Sequence, residues 1–541
     1  MSTSESRDQI SRRRLLGGAA AAVGAAALSS AVPVPALARG NRAASGPAQG
    51  KNIVLFITDQ ERQLQHFPMG WAERNLPGLT AMKETGVEFT HAFTNACMCS
   101  PARSTLLTGL MPSQHGVKYT LEEDMPADQY PQVELPGPTQ VANLATVMSS
   151  AGYNVIYKGK WHCSKPAGSE WAPSDLTKYG FNRWNPTDAG ADQSIQQAGG
   201  GVAANDDRYM ASVGNYADGV EGVLPFIQNV AVNMQPFCLI VSLVNPHDVL
   251  MYPRNYKNAG YDDGWLDGDI GLPATVDEDL STKPSAQRAF LKIFNLSGAL
   301  PTPRMKRRYL NFYANLMKNQ DAYLVEVMAA LKSIATPDGS NLLNESILIR
   351  TADHGEMGLA HGGMRQKNFN MYDETIRIPL VFSNPELFPK RRVVDDIVGH
   401  VDLVPTLASL VGAPAPTTNG FTGVDYSSVL LNPKAKPVQN YTMFTWDDYQ
   451  NGQKSGPYVP PPQHIVGIRE RRWKIAKYWD PNGTVPPQWE FYDLVEDPLE
   501  SINMAYRGYR RTPEQEREYK RMRAKLQRVE ETRLQPLGAS S

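Results

Sequence analysis

Asn52-Ile53-Val54-Leu55-Phe56-Ile57-Thr58-Asp59-Gln60 is an unbroken apolar run that stops abruptly in polar residues. A strand with one face in solvent alternates apolar and polar side chains. This run does not alternate, so it reads as a strand covered on both faces, as in a parallel sheet. Comparable runs recur at 155–157, 237–244, 347–349 and 378–382. Helical stretches separate them: Leu324, Val327, Met328 and Leu331 share one helical face, and 401–411 reads as a second helix. Strands alternating with helices predict an α/β fold built on a mostly parallel sheet, with helices on both faces.

Open sheets of this kind place reactive groups beyond the carboxyl ends of their strands. Polar clusters occur just there: Thr58-Asp59-Gln60, Asn245-Pro246-His247-Asp248 and Thr351-Ala352-Asp353-His354-Gly355. Any one of them could be a loop or a helix cap. Their repetition at equivalent strand ends points to a shared site.

The chain's 541 residues carry 54 Lys+Arg against 55 Asp+Glu, a formal charge of -1. This balance leaves no overall basic field for nucleic acid, although a local positive pocket for a small anion is compatible with it. A hydrophobic content of 41% with four cysteines excludes a disordered chain and a disulfide scaffold. Cys97 and Cys99 form a C-x-C that would suit a redox pair or half a metal site, but no second pair at ligand spacing accompanies it.

Outward from the core, 166–235 and 249–301 are rich in Gly, Asn, Asp and aromatics with weak periodicity, as expected of insertions that wall a pocket. Further on, 465–479 and 489–494 read as short strands. Thr512-Pro513-Glu514-Gln515 is a capping box opening a helix with Tyr519, Met522, Leu526 and Val529 on its buried stripe. The expected organisation is a signal segment (1–38), a linker (39–50), a catalytic α/β domain (51–435) and a small C-terminal antiparallel subdomain with a terminal helix (436–541).

At the N-terminus, Ser11-Arg12-Arg13-Arg14-Leu15-Leu16 precedes an Ala/Gly-rich run and Ala36-Leu37-Ala38. This resembles a twin-arginine signal peptide cleaved near Arg39, and the run is too short and too weakly apolar for a membrane anchor. The expectation is export through the twin-arginine translocase to the periplasm or beyond, without stable membrane insertion.

Cys99-Ser100-Pro101-Ala102-Arg103-Ser104-Thr105-Leu106-Leu107-Thr108-Gly109 contains C-x-P-x-R followed by L-T-G, which resembles the sulfatase family. Gly152-Tyr153 through Gly159-Lys160-Trp161-His162 resembles a second stretch of that family, with Val155 and Lys158 as departures. The likeness runs from about residue 51 to 503. It implies an alkaline-phosphatase-like fold and hydrolysis of a sulfate monoester through formylglycine, made from Cys99 by a formylglycine-generating enzyme. That enzyme acts on unfolded chain, and the twin-arginine route carries folded cargo, so conversion would precede export. A hydrated aldehyde offers two hydroxyls on one carbon, one to attack sulfur and one to expel sulfate, where a thiol or serine would be trapped as the ester.

By the same resemblance, Arg103 holds the diol, Lys160 binds a sulfate oxygen, and His162 is the base. His247 and Lys367 bind sulfate or protonate the leaving oxygen. Lys158 and Arg365 are neighbours that could be confused with Lys160 and Lys367. Asp59, Gln60, Asp353 and His354 correspond to the metal positions, with Ca²⁺ expected and Mn²⁺ the alternative that an imidazole ligand favours. Gln60 and His354 also resemble the phosphonate monoester hydrolase and choline-sulfatase branches, which makes a phosphonate monoester or phosphodiester the competing substrate. Two further alternatives are a non-catalytic anion-binding protein and a redox or metal-handling protein built on Cys97 and Cys99.

Overall fold

The computed structural model describes residues 46–538 except 65, 123–129, 297, 418 and 454. The signal-peptide expectation lies outside these residues. Thirteen strands are described: β1 (Asn52–Thr58), β2 (Gly86–Phe93), β3 (Ala96–Cys97), β4 (Asn154–Gly159), β5 (Phe237–Ser242), β6 (Ser346–Ala352), β7 (Arg377–Ile378), β8 (Leu380–Ser383), β9 (Arg392–Gly399), β10 (Tyr441–Trp446), β11 (His464–Glu470), β12 (Trp473–Trp479) and β13 (Gln488–Asp493).

The first sheet has the order β4-β5-β1-β6-β8-β2-β7, with β9 paired to β2. Its centre, β4-β5-β1-β6, is parallel throughout, and β8 joins β6 antiparallel. The unbroken run at 52–58 is buried along its whole length. Val54 and Phe56 pack into an apolar layer with Tyr309, Leu316 and Leu324 of the helix Pro303–Ser333. Ile53, Leu55 and Ile57 face the opposite layer, with Leu106, Leu144 and Leu407 from three other helices. Burying each such side chain stabilises by about 1.5–3 kcal/mol, so neither face tolerates a polar position. The long helix starts where Thr302 caps Met305 N at 3.2 Å and Pro303 fills the first turn.

The run at 378–382 is two strands, not one, because Pro379 has no N–H to continue the ladder. β2, β9 and β10 had no counterpart among the sequence expectations. β9 carries Asp395 and Asp396 on an edge and is exposed at alternate residues over its first half, which masks its pattern.

The second sheet, β13-β12-β11-β10-β3, is antiparallel except where two-residue β3 lies parallel to β10. The helix Pro513–Thr532 starts at the Thr512–Gln515 capping box and buries Met522, Leu526 and Val529 against this sheet, with Tyr519 half-buried. The stretches at 166–235 and 249–301 contain short helices, including Asn205–Ala211 and Ser285–Leu296. Among the described residues, no helix is long and apolar enough to cross a membrane.

Candidate active site

Four adjacent parallel strands end at one place. β1 delivers Asp59 and Gln60, β6 delivers Asp353 and His354, β4 delivers Lys160, and β5 ends in Ser242. Cys99 is the first residue of the helix Cys99–Thr108, so it sits at the positive end of a helix dipole. Its Sγ lies 3.2 Å from His354 Nε2 and 3.6 Å from Asp59 Oδ1.

Arg103, one turn along the same helix, is buried and uses its whole fork. Nε donates to Asp353 Oδ2 at 3.0 Å, Nη2 to Asp59 Oδ2 at 3.2 Å, and Nη1 to Ser242 Oγ at 2.7 Å and Lys160 O at 3.1 Å. Only a planar guanidinium bridges two carboxylates in this way. Lys160 Nζ pairs with Asp59 Oδ2 and donates to Gly190 O. Gly190 has φ +80°, and a Cβ there would lie 2.9 Å from Lys160 Nζ, so the site depends on that glycine. Lys158 instead points to Glu221, donating to its backbone oxygen at 2.6 Å and its carboxylate at 3.1 Å. Lys158 lies within β4, whereas Lys160 follows its last residue, Gly159, whose φ of +102° turns the chain, so the two lysines reach different partners.

Asp188 accepts from Trp161 N at 2.8 Å and His162 N at 2.7 Å, fixing the turn that carries His162. His162 Nε2 donates to Leu121 O at 2.5 Å, while its buried Nδ1 has no partner among the described residues. Burial, then Lys160, holds His162 well below its usual range, so Nδ1 is an unprotonated acceptor. His354 Nδ1 lies 3.1 Å from Gly355 O, which can accept only if Nδ1 carries the proton. Its Nε2 lone pair is therefore turned toward Cys99, Asp59 and Asp353.

Burial alone would raise Asp59, but Lys160 and Arg103 outweigh it and hold this carboxyl well below the usual range. Burial and the charge of Asp59 push Asp353 up to about 6. The ligand atoms of Asp59, Cys99, Asp353 and His354 all lie within 4.8 Å of one another, a set that fits a divalent cation. Gln60 presents its backbone N to Asp353 Oδ1 at 3.0 Å, and its side-chain amide spans Glu356 and Lys367.

His247 opens the turn His247–Met251, anchored by Asp248, which accepts from Gly199 N and Gly200 N. His247 and Lys367 line a pocket of about 210 Å³ that reaches Cys99, walled by Glu122, Asp192, Phe294 and Asn451. Two of these wall residues, Asp192 and Phe294, come from the stretches read as insertions. Arg365 stacks on Phe294 at 4.5 Å and donates to Asn295, leaving Lys367 as the cation nearer Gln60. Gln60, His162, Gln366 and Phe369 all have positive φ, a cluster of strained positions of about 1–3 kcal/mol each that accompanies functional sites.

All ten residues expected from the sequence therefore come to one end of the first sheet. Asp188, Ser242 and Glu356 were missed. Glu356 alone left a trace, as a further acidic residue in the cluster that begins at Thr351.

A family model described as Sulfatase matches residues 51–413, two-thirds of the sequence. The chain belongs to the sulfatase family. A second model, N-sulphoglucosamine sulphohydrolase C-terminal, matches 361–532. This sulfatase is 27% identical over 472 residues to a Δ4,5-hexuronate-2-O-sulfatase of Bacteroides thetaiotaomicron, covering 85% of this chain and 86% of that protein. It is 25% identical over 471 residues to a choline-sulfatase of Rhizobium meliloti, covering 84% and 83%. The solved phosphonate monoester hydrolase of Silicibacter pomeroyi superposes with TM-score 0.61 at 21% identity, covering 89% of this chain and 96% of that one, a likeness of fold alone. The alkaline-phosphatase-like α/β architecture and sulfuric ester hydrolase activity follow from family membership.

Proposed function

We propose that this sulfatase is an exported, metal-dependent hydrolase of small sulfate monoesters, acting through formylglycine made from Cys99. The carrying observation is the placement of Cys99 Sγ against Asp59 and His354, at a helix N-terminus and at the base of a pocket lined by His247 and Lys367. As a thiol, Cys99 would be a poor nucleophile: burial and Asp59 push it up to about 12. The same shift argues against Cys97 and Cys99 as a redox pair, and Cys97 is packed with Phe93, Phe444 and Trp446 in an apolar cluster.

Asp59, Asp353 and His354, joined by Gln60, would hold one divalent ion, Ca²⁺ in the first instance and Mn²⁺ as the alternative. Bound there, the ion would supply positive charge to the attacking hydroxyl and the ester oxygens. The hydrated aldehyde would supply one hydroxyl to attack sulfur and a second whose deprotonation releases sulfate. Arg103 orients that group and neutralises charge developing on it. Lys160 and neutral His247 donate to nonbridging oxygens, and Lys367, at the pocket wall, donates a proton to the leaving oxygen. His162 Nδ1 takes the proton from the second hydroxyl. Electrostatic preorganisation of this kind supplies most of the rate.

The signal-like N-terminus supports export, and a formylglycine-generating enzyme and the twin-arginine translocase are the maturation partners this reading requires. A second reading, phosphonate monoester or phosphodiester hydrolysis, is favoured by the Asp59-Gln60 and Asp353-His354 pairs. Intact-peptide mass spectrometry on secreted protein should show Cys99 converted. That material should hydrolyse an aryl sulfate faster than an aryl phosphonate, with metal content read by elemental analysis. Faster phosphonate cleavage would replace the first reading with the second, and a retained thiol in active protein would overturn both.

A further inference from the structure

Glu356 is fully buried two residues beyond His354, and its carboxylate is saturated with donors. Oε1 accepts from Tyr309 Oη at 2.7 Å, Gln366 N at 3.0 Å and Gly358 N at 3.2 Å. Oε2 accepts from Gln366 N at 3.0 Å and from Gln60 Nε2 at 2.5 Å. Three of these bonds only tie down the loop at 356–366. The bond to Gln60 has a different consequence.

An ionised carboxylate accepts and never donates, so the group facing it from Gln60 must be the amide NH₂. The opposite end of the same amide is then necessarily the carbonyl oxygen, and it lies 2.7 Å from Lys367 Nζ. The backbone of Gln60 is pinned independently, by Asp353 Oδ1 on its N–H and by Tyr313 Oη on its carbonyl oxygen. With the backbone held, rotation of the terminal amide is the freedom left to fix.

We propose that Glu356 is a positioning residue: it commits the Gln60 amide to present its oxygen to the site, and through that oxygen holds the Lys367 ammonium at the pocket wall. This rests on the sulfatase reading of the site and extends it to a residue that touches neither ester nor metal.

The test is Glu356→Gln. The new side chain keeps its shape and can still accept from Tyr309, Gly358 and Gln366 with its own oxygen, but its NH₂ then faces Gln60. The Gln60 amide must turn over, and an NH₂ meets the Lys367 ammonium. Loss of an outer partner of this kind costs about 10- to 100-fold in activity or metal affinity. The expected result is that loss in kcat/KM, together with weaker retention of Mn²⁺ or Ca²⁺ in equilibrium dialysis, at a melting temperature within about 4 °C of wild type.

The swap Glu356→Gln with Gln60→Glu restores a donor-to-acceptor pair and returns an oxygen to Lys367, so it should recover most of both readouts. Glu356→Gln at wild-type kcat/KM and metal retention would overturn the proposal. So would a swap no better than the single variant, because that outcome assigns Glu356 to holding the loop. If Glu356→Gln does not fold, the swap is compared with Gln60→Glu alone, which sets two carboxylates face to face: recovery of kcat/KM and metal retention in the swap supports the proposal, and no recovery overturns it. Wild-type protein run alongside separates the two levels: no ester hydrolysis by converted wild type sinks the sulfatase reading, whereas the metal-retention ratio still reports on Glu356.

Discussion

The two sheets of this sulfatase handle buried charge in different ways. At the carboxyl ends of β1, β4, β5 and β6, carboxylates and cations converge on one point, and Asp59, Asp353, Arg103 and Lys160 bond mainly to one another. In the second sheet, buried charge works as a brace. Lys474 of β12 reaches across to Asp373 Oδ1 at 2.6 Å, Glu500 Oε1 at 2.6 Å and Met371 O at 3.0 Å, and so holds the segment that follows Lys367. β3 does the same on the other side, since its pairing with β10 fixes the two residues before Met98 and Cys99. The candidate site is thus confined to one sheet and rigidity is supplied by the other, with the helix that carries Cys99 between them.

The sharpest way to break that division is Cys99→Ala. It removes the proposed nucleophile from a buried but otherwise self-supporting cluster, so kcat should fall by about 10⁵-fold or more while the melting temperature stays within about 4 °C. Measuring sulfate release and thermal unfolding on one preparation checks both halves. A large drop in melting temperature would mean that the site also carries the fold.

Lys474→Met reverses the pattern. It leaves Glu500 buried without its cation, while Asp373 keeps Arg469 at 3.1 Å, and breaking a buried pair by removing one partner costs about 3–5 kcal/mol. Denaturant midpoints should fall accordingly, while kcat/KM of the protein that remains folded changes less than about 10-fold. Equal losses in both would show that the brace sets the geometry of Lys367, and the two sheets would not be separable.

The same contrast decided what was legible in the sequence. β1, β5 and β6 are buried on both faces, so their apolar runs are unbroken, and the residues just beyond them announce themselves as polar at strand ends. Cys99, Arg103, Lys160 and His162 lie within stretches that resemble the family closely enough to be placed by number. β2 and β9 lie toward the antiparallel end of the first sheet, where Glu88, Asp395 and Asp396 break the apolar pattern. β3 is only two residues long, and no periodicity can reveal it. Asp188 and Ser242 were invisible, and Glu356 left only a faint trace, for another reason: each acts by accepting a hydrogen bond from a residue brought beside it by the fold. The orientation of Gln60 belongs to that class too. Its position was readable, but the carboxylate that turns its amide was not.

A smaller effect probes the border between the two regions. His361 stacks on Tyr372 at 3.5 Å, with Nδ1 2.7 Å from Glu278 and Nε2 3.7 Å from Glu374. Burial and Lys283 disfavour its charge, yet Glu278 and Glu374 prevail and raise it to about 9. Because the folded value lies above the ordinary 6.5, charged His361 stabilises fully below pH 6.5, and this stabilisation fades as pH rises through about 9. The shift corresponds to roughly 3 kcal/mol. Denaturant unfolding at pH 6.5 and pH 9.5 should show a loss of that order in wild type and a much smaller one in His361→Gln, whose amide still donates to Glu278 but cannot titrate. Equal pH slopes in the two proteins would mean that the carboxylates around His361 are neutralised from elsewhere, and the border would then owe its stability to packing against Tyr372 instead of to charge.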